Sequence, residues 1–295
     1  MGLENWDEVR TAFQVARMGT VSGAAEALGV HHATVIRHID SLEKRLGTRL
    51  FQRHARGYTP TEAGRDLLTV AQTTDDQFNQ LASRITGQGE EVCGELVVTS
   101  ISGIADLLMP VLTSFQHEHA ALTVRYLSDS RIFRLDYGEA HVAVRAGGPP
   151  EEPDNVVQPL TKLRSGLYAA RSYVERYGMP DGIRDAHKHR FVTAEGPAAR
   201  AVFHRWMRDN VPGESMRVMA SEGLAMQTAV LSGAGIGFLP LYRAAGIPDL
   251  IEVLPPAPEW EAVLWLVTHV DLHRTLKVSS FLTHLKQAAK DWPDM

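Results

Sequence analysis

Val21-Ser22-Gly23-Ala24-Ala25-Glu26-Ala27-Leu28-Gly29, then after Val30-His31 the run His32-Ala33-Thr34-Val35-Ile36-Arg37-His38-Ile39-Asp40-Ser41-Leu42-Glu43-Lys44-Arg45-Leu46-Gly47, decides how the N-terminal part of the chain folds. The first run is small and apolar and fits a short helix from Gly23 to Leu28, with Ser22 placed to cap it. Gly29 supplies a tight turn. The second run predicts a helix from His32 to Leu46, because Val35, Ile39, Leu42 and Leu46 recur at spacings of four, three and four and share a face. An earlier helix, Trp6 to Met18, carries Trp6, Val9, Phe13 and Ala16 at helical spacing and gives the pair something to pack on. Two short helices joined by a glycine turn over a third make a helix-turn-helix.

Opposite the apolar stripe of the 32–46 helix lie Thr34, Arg37, His38, Ser41 and Arg45. A helix with one face for its own domain and another rich in donors suits the major groove, where Arg37 can pair bidentately with guanine and Thr34 and His38 can reach bases or phosphates. His31 and His32 stand beside this face. Ile36 either touches a thymine methyl or widens the buried face. After Gly47, Leu50-Phe51 anchors a short hairpin whose basic tip, Arg53-His54-Ala55-Arg56-Gly57-Tyr58, reads as a wing reaching a phosphate strand or the minor groove. The chain as a whole has a net charge of −5, which opposes indiscriminate binding of nucleic acid. From His31 to Gly57, however, Arg37, Lys44, Arg45, Arg49, Arg53 and Arg56 face only Asp40 and Glu43.

The stretch Ser22-Gly23-Ala24-Ala25-Glu26-Ala27-Leu28, with Val35, Ile39, Leu42-Glu43, Leu46-Gly47, Leu50-Phe51-Gln52-Arg53, Arg56 and Thr61-Glu62-Ala63-Gly64, resembles the signature of LysR-type transcriptional regulators. The resemblance implies a winged helix-turn-helix that binds double-stranded promoter DNA, with His31, His32, Thr34, Ile36, Arg37, His38, Arg53 and Arg56 as DNA-contacting candidates. The chain departs from the family pattern at His31-His32 (Ser-Gln in the family), Ile36 (Ser) and Pro60 (Leu). The first three bear on operator sequence rather than on binding itself.

From Gly64 onward Leu67, Ala71, Thr74, Phe78, Leu81 and Ile85 alternate at four and three residues, a heptad-like seam. By pattern alone it fits a helix packed on its own domain as well as one paired with a partner. In the family the linker helix pairs two chains into a homodimer, commonly built into a tetramer. Gly87-Gln88-Gly89-Glu90-Glu91 stops the helix and reads as a hinge.

Beyond Gly94 strands and helices alternate, predicting an α/β architecture with mostly parallel sheets. Strands are expected at 95–100, 122–128, 140–145 (with a helix-capable stretch before it), 166–170, 217–221, 236–240 and 263–267. Helices are expected at 107–118, 172–177, 200–210, 222–232 and 278–290. About 200 residues exceed one simple wound sheet, so two subdomains with a cleft between them follow. Gly94-Glu95-Leu96, Gly138-Glu139-Ala140 and Ala234-Gly235-Ile236-Gly237 with Leu239-Pro240 are similar to the LysR-type effector domain, which has the periplasmic-binding-protein fold. His141 stands where the family commonly has Asp. The expected division is 1–64 for the DNA-binding domain, 65–90 for linker helix and hinge, and 91–295 for the effector domain. Within the last, subdomain I takes about 91–162 and 268–295, and subdomain II about 163–267.

After the strand ending in Thr99-Ser100, Ser102 and Gly103 lead into a helix, and Ala220-Ser221-Glu222-Gly223 makes a matching turn. Backbone N–H groups and hydroxyls at such turns can hold a carboxylate. Thr99, Ser100, Ser102, Ser128, Arg145, Thr193 and Ser221 are the effector-binding candidates, Ser102 and Ser221 serving otherwise as plain helix caps.

No catalytic set emerges. Ser41-Leu42-Glu43-Lys44 matches an acyl-transfer motif but sits on the reading helix without companion motifs. Gly233-Ala234-Gly235-Ile236-Gly237 runs from helix to strand, the reverse of a dinucleotide loop. The pairs His117/His119 and His187/His189 show no further ligand nearby, so neither metal nor cofactor is expected. A single cysteine, no long apolar run and an acidic N-terminus without a signal-peptide core favour a cytoplasmic protein over an exported solute binder or a membrane protein. A regulator that has lost ligand control stays open as a rival.

Overall fold

The computed structural model describes residues 5–54, 57–86, 91–128, 132–136 and 138–292. The chain divides into two units, Met1–Glu91 with Asp136–Glu139, and Val92–Leu135 with Ala140–Met295.

In the first unit α1 (Trp6–Met18), α2 (Val21–Leu28) and α3 (His32–Leu46) form the helix-turn-helix. The cap of α2 is Thr20, whose hydroxyl accepts from the Gly23 amide at 3.1 Å, and not Ser22. The helix therefore starts two residues earlier than the sequence reading placed it. Gly29 ends α2 at φ +65°, a left-handed conformation that turns the chain toward α3 without strain on a Cβ. A strand β1 (Phe51–His54) pairs antiparallel with β2 (Gly57–Pro60), Arg53 facing Tyr58, and α4 (Glu62–Thr86) follows. Val9, Phe13, Ala24, Val35, Ile39, Leu42, Leu50, Phe51 and Ala71 form one core. Of the heptad-like seam on α4, Ala71 is buried there and Leu67 packs against it, whereas Phe78 and Leu81 are exposed. Ile85 lies outside the residues whose side chains are described.

The second unit runs β3 (Gly94–Ser100), α5 (Ala105–Glu118), β4 (Leu122–Ser128), β5 (Val142–Gly147), β6 (Asn155–Leu163), β7 (Ser165–Ala170), α6 (Arg171–Tyr177), β8 (Phe191–Ala194), α7 (Val202–Asn210), β9 (Met216–Ala220), α8 (Gly223–Leu231), β10 (Gly237–Pro240), α9 (Leu241–Ala244), β11 (Leu250–Leu254), β12 (Ala262–His269), α10 (Val270–His273) and α11 (Leu276–Ala288). One sheet has the order β4-β3-β5-β12-β6, and Val98, Leu108, Phe115, Val144, Leu266 and Phe281 are among the residues of its core. A second lobe holds β10-β7-β11 and the pair β8-β9, joined through a bridge from Phe191 to Ile236.

The expectation of mostly parallel sheets is corrected. β3 runs parallel to β4 and β5, but β12 is antiparallel to both β5 and β6, and β7 is antiparallel to both its neighbours. Parallel pairing needs a crossover such as α5 between β3 and β4, whereas β12 returns from the second lobe and enters the sheet from the other end. β12 thus belongs to the first sheet, so the boundary expected near 268 falls before Ala262. β6, β8 and β11 escaped the sequence reading, and the described residues just before β5 are turns, not helix. His141 donates its own amide to the Val97 carbonyl and accepts the Val97 amide on Nδ1 at 2.8 Å, which ties the approach to β5 onto β3.

Gly64 shows how tightly the first unit is assembled: a Cβ there would lie 2.0 Å from the Leu50 carbonyl oxygen. Replacing Gly64 by Ala should lower stability by about 1–3 kcal/mol, the usual cost of forcing atoms into a filled interior. Urea unfolding of the variant checks this, and an unchanged midpoint would show that the α4 entry yields freely.

Candidate nucleic-acid interface and effector pocket

The polar side of α3 does two jobs. Its C-terminal half is bound to α1: Ser41 Oγ donates to Glu8 Oε1 at 2.9 Å, Arg45 pairs with Glu8 Oε2, and His38 Nδ1 meets Thr11 Oγ1 at 2.9 Å. Burial pushes the Glu8 carboxyl upward, but the hydrogen bonds from Ser41 and Arg45 outweigh it and hold the group below its ordinary value. His38, Ser41 and Arg45, read from the sequence as part of a free stripe, therefore hold the helix in place. Toward the N-terminal end His31, His32 and Arg37 are exposed and Thr34 half-exposed. His32 Nε2 lies 3.2 Å from Ser22 Oγ. Ile36 packs against the core.

The hairpin hangs from one carboxylate. Glu43, 6% exposed, accepts the amides of Leu50 at 2.9 Å and Phe51 at 3.1 Å on Oε1, and the guanidinium groups of Arg49 and Arg53 on Oε2. Arg53 also pairs with Asp40 at 2.6 Å and lies over the Tyr58 ring. Arg53, expected at the phosphates, is thus engaged on two carboxylates. Tyr58 donates its amide to the Gly19 carbonyl at 2.8 Å, which seats the hairpin on the turn after α1. Arg56 lies outside the described residues.

In the second unit an open pocket of about 610 Å³ is lined by Thr99, Ser100 and Ile101 at the end of β3, by Ala143–Ala146 of β5, and by Ile132, Phe133, Gly148 and Pro150–Glu152. Three of the expected effector residues, Thr99, Ser100 and Arg145, meet there. Arg145 donates to Glu152 at 3.2 Å and to the Phe133 carbonyl at 3.1 Å, and Ser100 Oγ lies 2.6 Å from the Tyr126 hydroxyl. Ser128, Thr193 and Ser221 are not among its described lining residues, and the side chain of Ser102 lies outside the described set. Ser221 is exposed, and α8 is capped at Glu222 without a side-chain bond. Thr193 is buried at 2% exposure, and its hydroxyl has no partner among the described residues. The described lining residues of this pocket come from one lobe, whereas the sequence reading placed the effector site between two lobes.

One cluster that bridges the lobes lies at the turn after β3. Arg243 of α9 donates from Nε and Nη2 to the two oxygens of Asp106, each at 3.0 Å, while the Tyr242 hydroxyl donates to the Gly103 carbonyl at 2.8 Å. Burial raises the Asp106 carboxyl, yet its bonds to Arg243 and Tyr242 leave it below the usual range. Among the described residues no group of three or more potential metal ligands occurs, and no helix is long and apolar enough to cross a membrane.

Residues 6–65 match the family model of the bacterial regulatory helix-turn-helix protein, lysR family, and residues 89–290 that of the LysR substrate binding domain. The chain belongs to the LysR family. This LysR-type protein is 25% identical to an HTH-type transcriptional repressor of Pseudomonas aeruginosa, across 97% of its own length and 92% of that protein's. Its fold is similar to full-length OxyR of Pseudomonas aeruginosa, with a TM-score of 0.72 and 16% identity over 99% of this chain and 96% of that one. It is also similar to full-length CbnR, solved with its target DNA, at a TM-score of 0.59 and 19% identity over 96% and 99% of the two chains. It is a transcriptional regulator with a DNA-binding helix-turn-helix and an effector-binding domain, not an enzyme.

Sequence reading missed Glu8, Thr11, Asp106, Tyr242 and Arg243 in this regulator, because their partners lie far along the chain and no periodicity links them. Glu43 stood in the quoted motif, and its place between an apolar Leu42 and three nearby arginines was the available signal.

The lowered Glu8 carboxyl has a pH consequence. A carboxylate depressed by folding contributes stability above its unfolded value, here 4.5, and loses it as pH falls through the folded value. Glu8→Gln should therefore unfold at lower urea than the parent at neutral pH, and the gap should close as the solution is acidified below pH 4.5. A gap constant across that range would remove the Glu8 ionisation from the account.

Proposed function

We propose that this regulator binds promoter DNA sequence-specifically through the N-terminal half of α3, and that it does so as a homo-oligomer under control of a small carboxylate-bearing effector. The observation that carries the DNA reading is the division of labour on α3. Ser41, His38 and Arg45 are spent on α1, so Arg37 and Thr34, with His31 and His32 at the helix start, are the side chains left to meet a groove. Recognition helices present this end to base edges. Arg37 reads a guanine. Phosphate contact at the wing falls to His54 and Arg56 more than to Arg53, whose guanidinium is already engaged. Ile36 serves the core. DNA as the partner places the protein in the cytoplasm.

For oligomerisation the support is the exposed apolar surface of α4, with Val70, Phe78 and Leu81 outward and Trp6 edge-on to Phe78 at 6.2 Å. A partner's linker helix covers it in a homodimer, and dimers pair into a tetramer. The domain limits expected from the sequence, 1–64, 65–90 and 91–295, fit this arrangement once β12 is counted with the first sheet. For the effector, the support is a pocket of the size small-molecule sites have, lined at the end of β3 by Thr99, whose hydroxyl can meet a carboxylate, and by Ser100, whose own proton goes to the Ile101 carbonyl at 2.8 Å.

Arg37→Ala should lower the preference for an operator fragment over a scrambled one by about 10–100-fold while leaving salt-sensitive, unselective binding in place. Fluorescence anisotropy with both DNAs at two salt concentrations measures this, and an undiminished preference would take Arg37 off the reading edge. Phe78→Glu with Leu81→Glu should shift the protein to a smaller species in analytical ultracentrifugation, and an unaltered sedimentation profile would place the interface elsewhere.

A further inference from the structure

The pocket at the end of β3 has a charge balance that a simple anion does not match. Among its described lining residues the one cation is Arg145, and its guanidinium is already divided between the Glu152 carboxylate at 3.2 Å and the Phe133 carbonyl at 3.1 Å. Its side chain is 17% exposed, so an incoming carboxylate gains little from it without first breaking those bonds. Against that single neutralised cation stand two acids, Glu151 and Glu152. Glu151 is exposed, and Glu152 turns a half-exposed carboxylate into the cavity rim. The Glu152 backbone amide, together with Arg145 and Asn155, keeps that carboxyl below its usual range despite partial burial. Ile101, Ile132, Phe133 and Pro150 give the same pocket apolar wall.

We infer that the effector of this regulator is zwitterionic, an amino-acid-like molecule whose ammonium group is met by Glu151 and Glu152 while its carboxylate lies at the Thr99–Ser100 turn. This rests on the carboxylate-sensing reading above and adds the second charge to it. The apolar walls select a hydrocarbon side chain. With two carboxylates against one guanidinium, the rim carries one net formal negative charge, which suits a second, mobile cation. A ligand with negative charge alone has to approach that rim uncompensated, which costs affinity by like-charge repulsion.

Isothermal titration calorimetry of the full chain separates the possibilities. Each proteinogenic amino acid is titrated beside the acid that lacks its amine, such as leucine beside 4-methylpentanoate and phenylalanine beside 3-phenylpropanoate. At least one amino acid should bind at least about tenfold more tightly than its deaminated counterpart, the order of effect expected for a charge-assisted contact. Glu151→Gln, at an exposed position that leaves the fold intact, should narrow that ratio. Glu152→Gln should narrow it further and raise affinity for the plain acids, because it frees Arg145. Deaminated acids binding as tightly as their parents would overturn the zwitterion and leave carboxylate sensing standing. A preference for the amino acid that neither glutamate variant alters would also overturn it. If neither set binds, both the inference and the carboxylate reading fall.

Discussion

The buried carboxylate of Glu43 is the interaction on which the DNA-binding unit depends. A charge taken out of water is costly unless its lone pairs are filled by donors. Here two backbone amides and two guanidinium groups fill them. The amides belong to Leu50 and Phe51, where the chain leaves α3 for the hairpin, so the carboxylate fixes the direction of that exit. Leu50 in turn places its carbonyl against Gly64 and accepts the Thr61 amide, while the Thr61 hydroxyl donates to the Arg49 carbonyl and caps α4. The path from Glu43 to the start of the linker helix is therefore a continuous set of hydrogen bonds and one close backbone contact. The motif that named the family, from Leu42-Glu43 to Thr61-Glu62-Ala63-Gly64, is the written form of that path.

The positions of α1 and α3 were legible because each has a simple boundary signal and one apolar stripe. α1 and α3 have the extents that the spacing of Trp6, Val9 and Phe13 and of Val35, Ile39 and Leu42 predicted. Periodicity, however, sorts a helix into two faces, and α3 has three environments: core, α1 and open surface. Arg37 and Arg45 look alike in the sequence and differ only in that Glu8 reaches one of them. Of the residues named for the effector, Thr99, Ser100 and Arg145 line one pocket. Ser221 was chosen on the assumption that two lobes contribute matching turns and Thr193 as a rim residue; Thr193 is buried and Ser221 exposed, and neither is among the described lining residues of this pocket. Strand direction was illegible for a related reason. Whether β12 runs with or against β5 depends on where the chain has been in the preceding lobe, not on its own residues.

The effector domain shows the same economy of charge. Asp106, Arg243 and Tyr242 join residues more than a hundred positions apart through bidentate and hydroxyl bonds, at the turn that begins with Ser100 and Ile101. Bidentate arginine–carboxylate geometry is directional as well as strong. The pocket and this joint thus share one short segment, 99–106, with hydroxyls and apolar wall on one side of it and the inter-lobe ion pair on the other. On the effector reading proposed above, a ligand that reorders the segment acts directly on one contact between the lobes, with no long chain of intervening contacts required.

The internal use of charge also sets how this protein meets DNA. Counted from sequence, residues 31–57 carry six arginines and lysines against two acids. In the folded unit Arg45, Arg49 and Arg53 each already face a carboxylate of Glu8, Asp40 or Glu43. Arg37 and Lys44 are the described cations of that stretch that are exposed and carry no ion pair among the described residues. The non-specific part of DNA affinity scales with the number of phosphates neutralised and with the counterions thereby released, at about 0.9 ion per contact. A reader whose arginines are mostly engaged inside its own fold therefore has a shallower salt dependence than its composition suggests. Within a chain of net charge −5 it also has little hold on arbitrary DNA, and on the reading proposed above base-edge contact and the pairing of two chains supply what phosphate attraction does not.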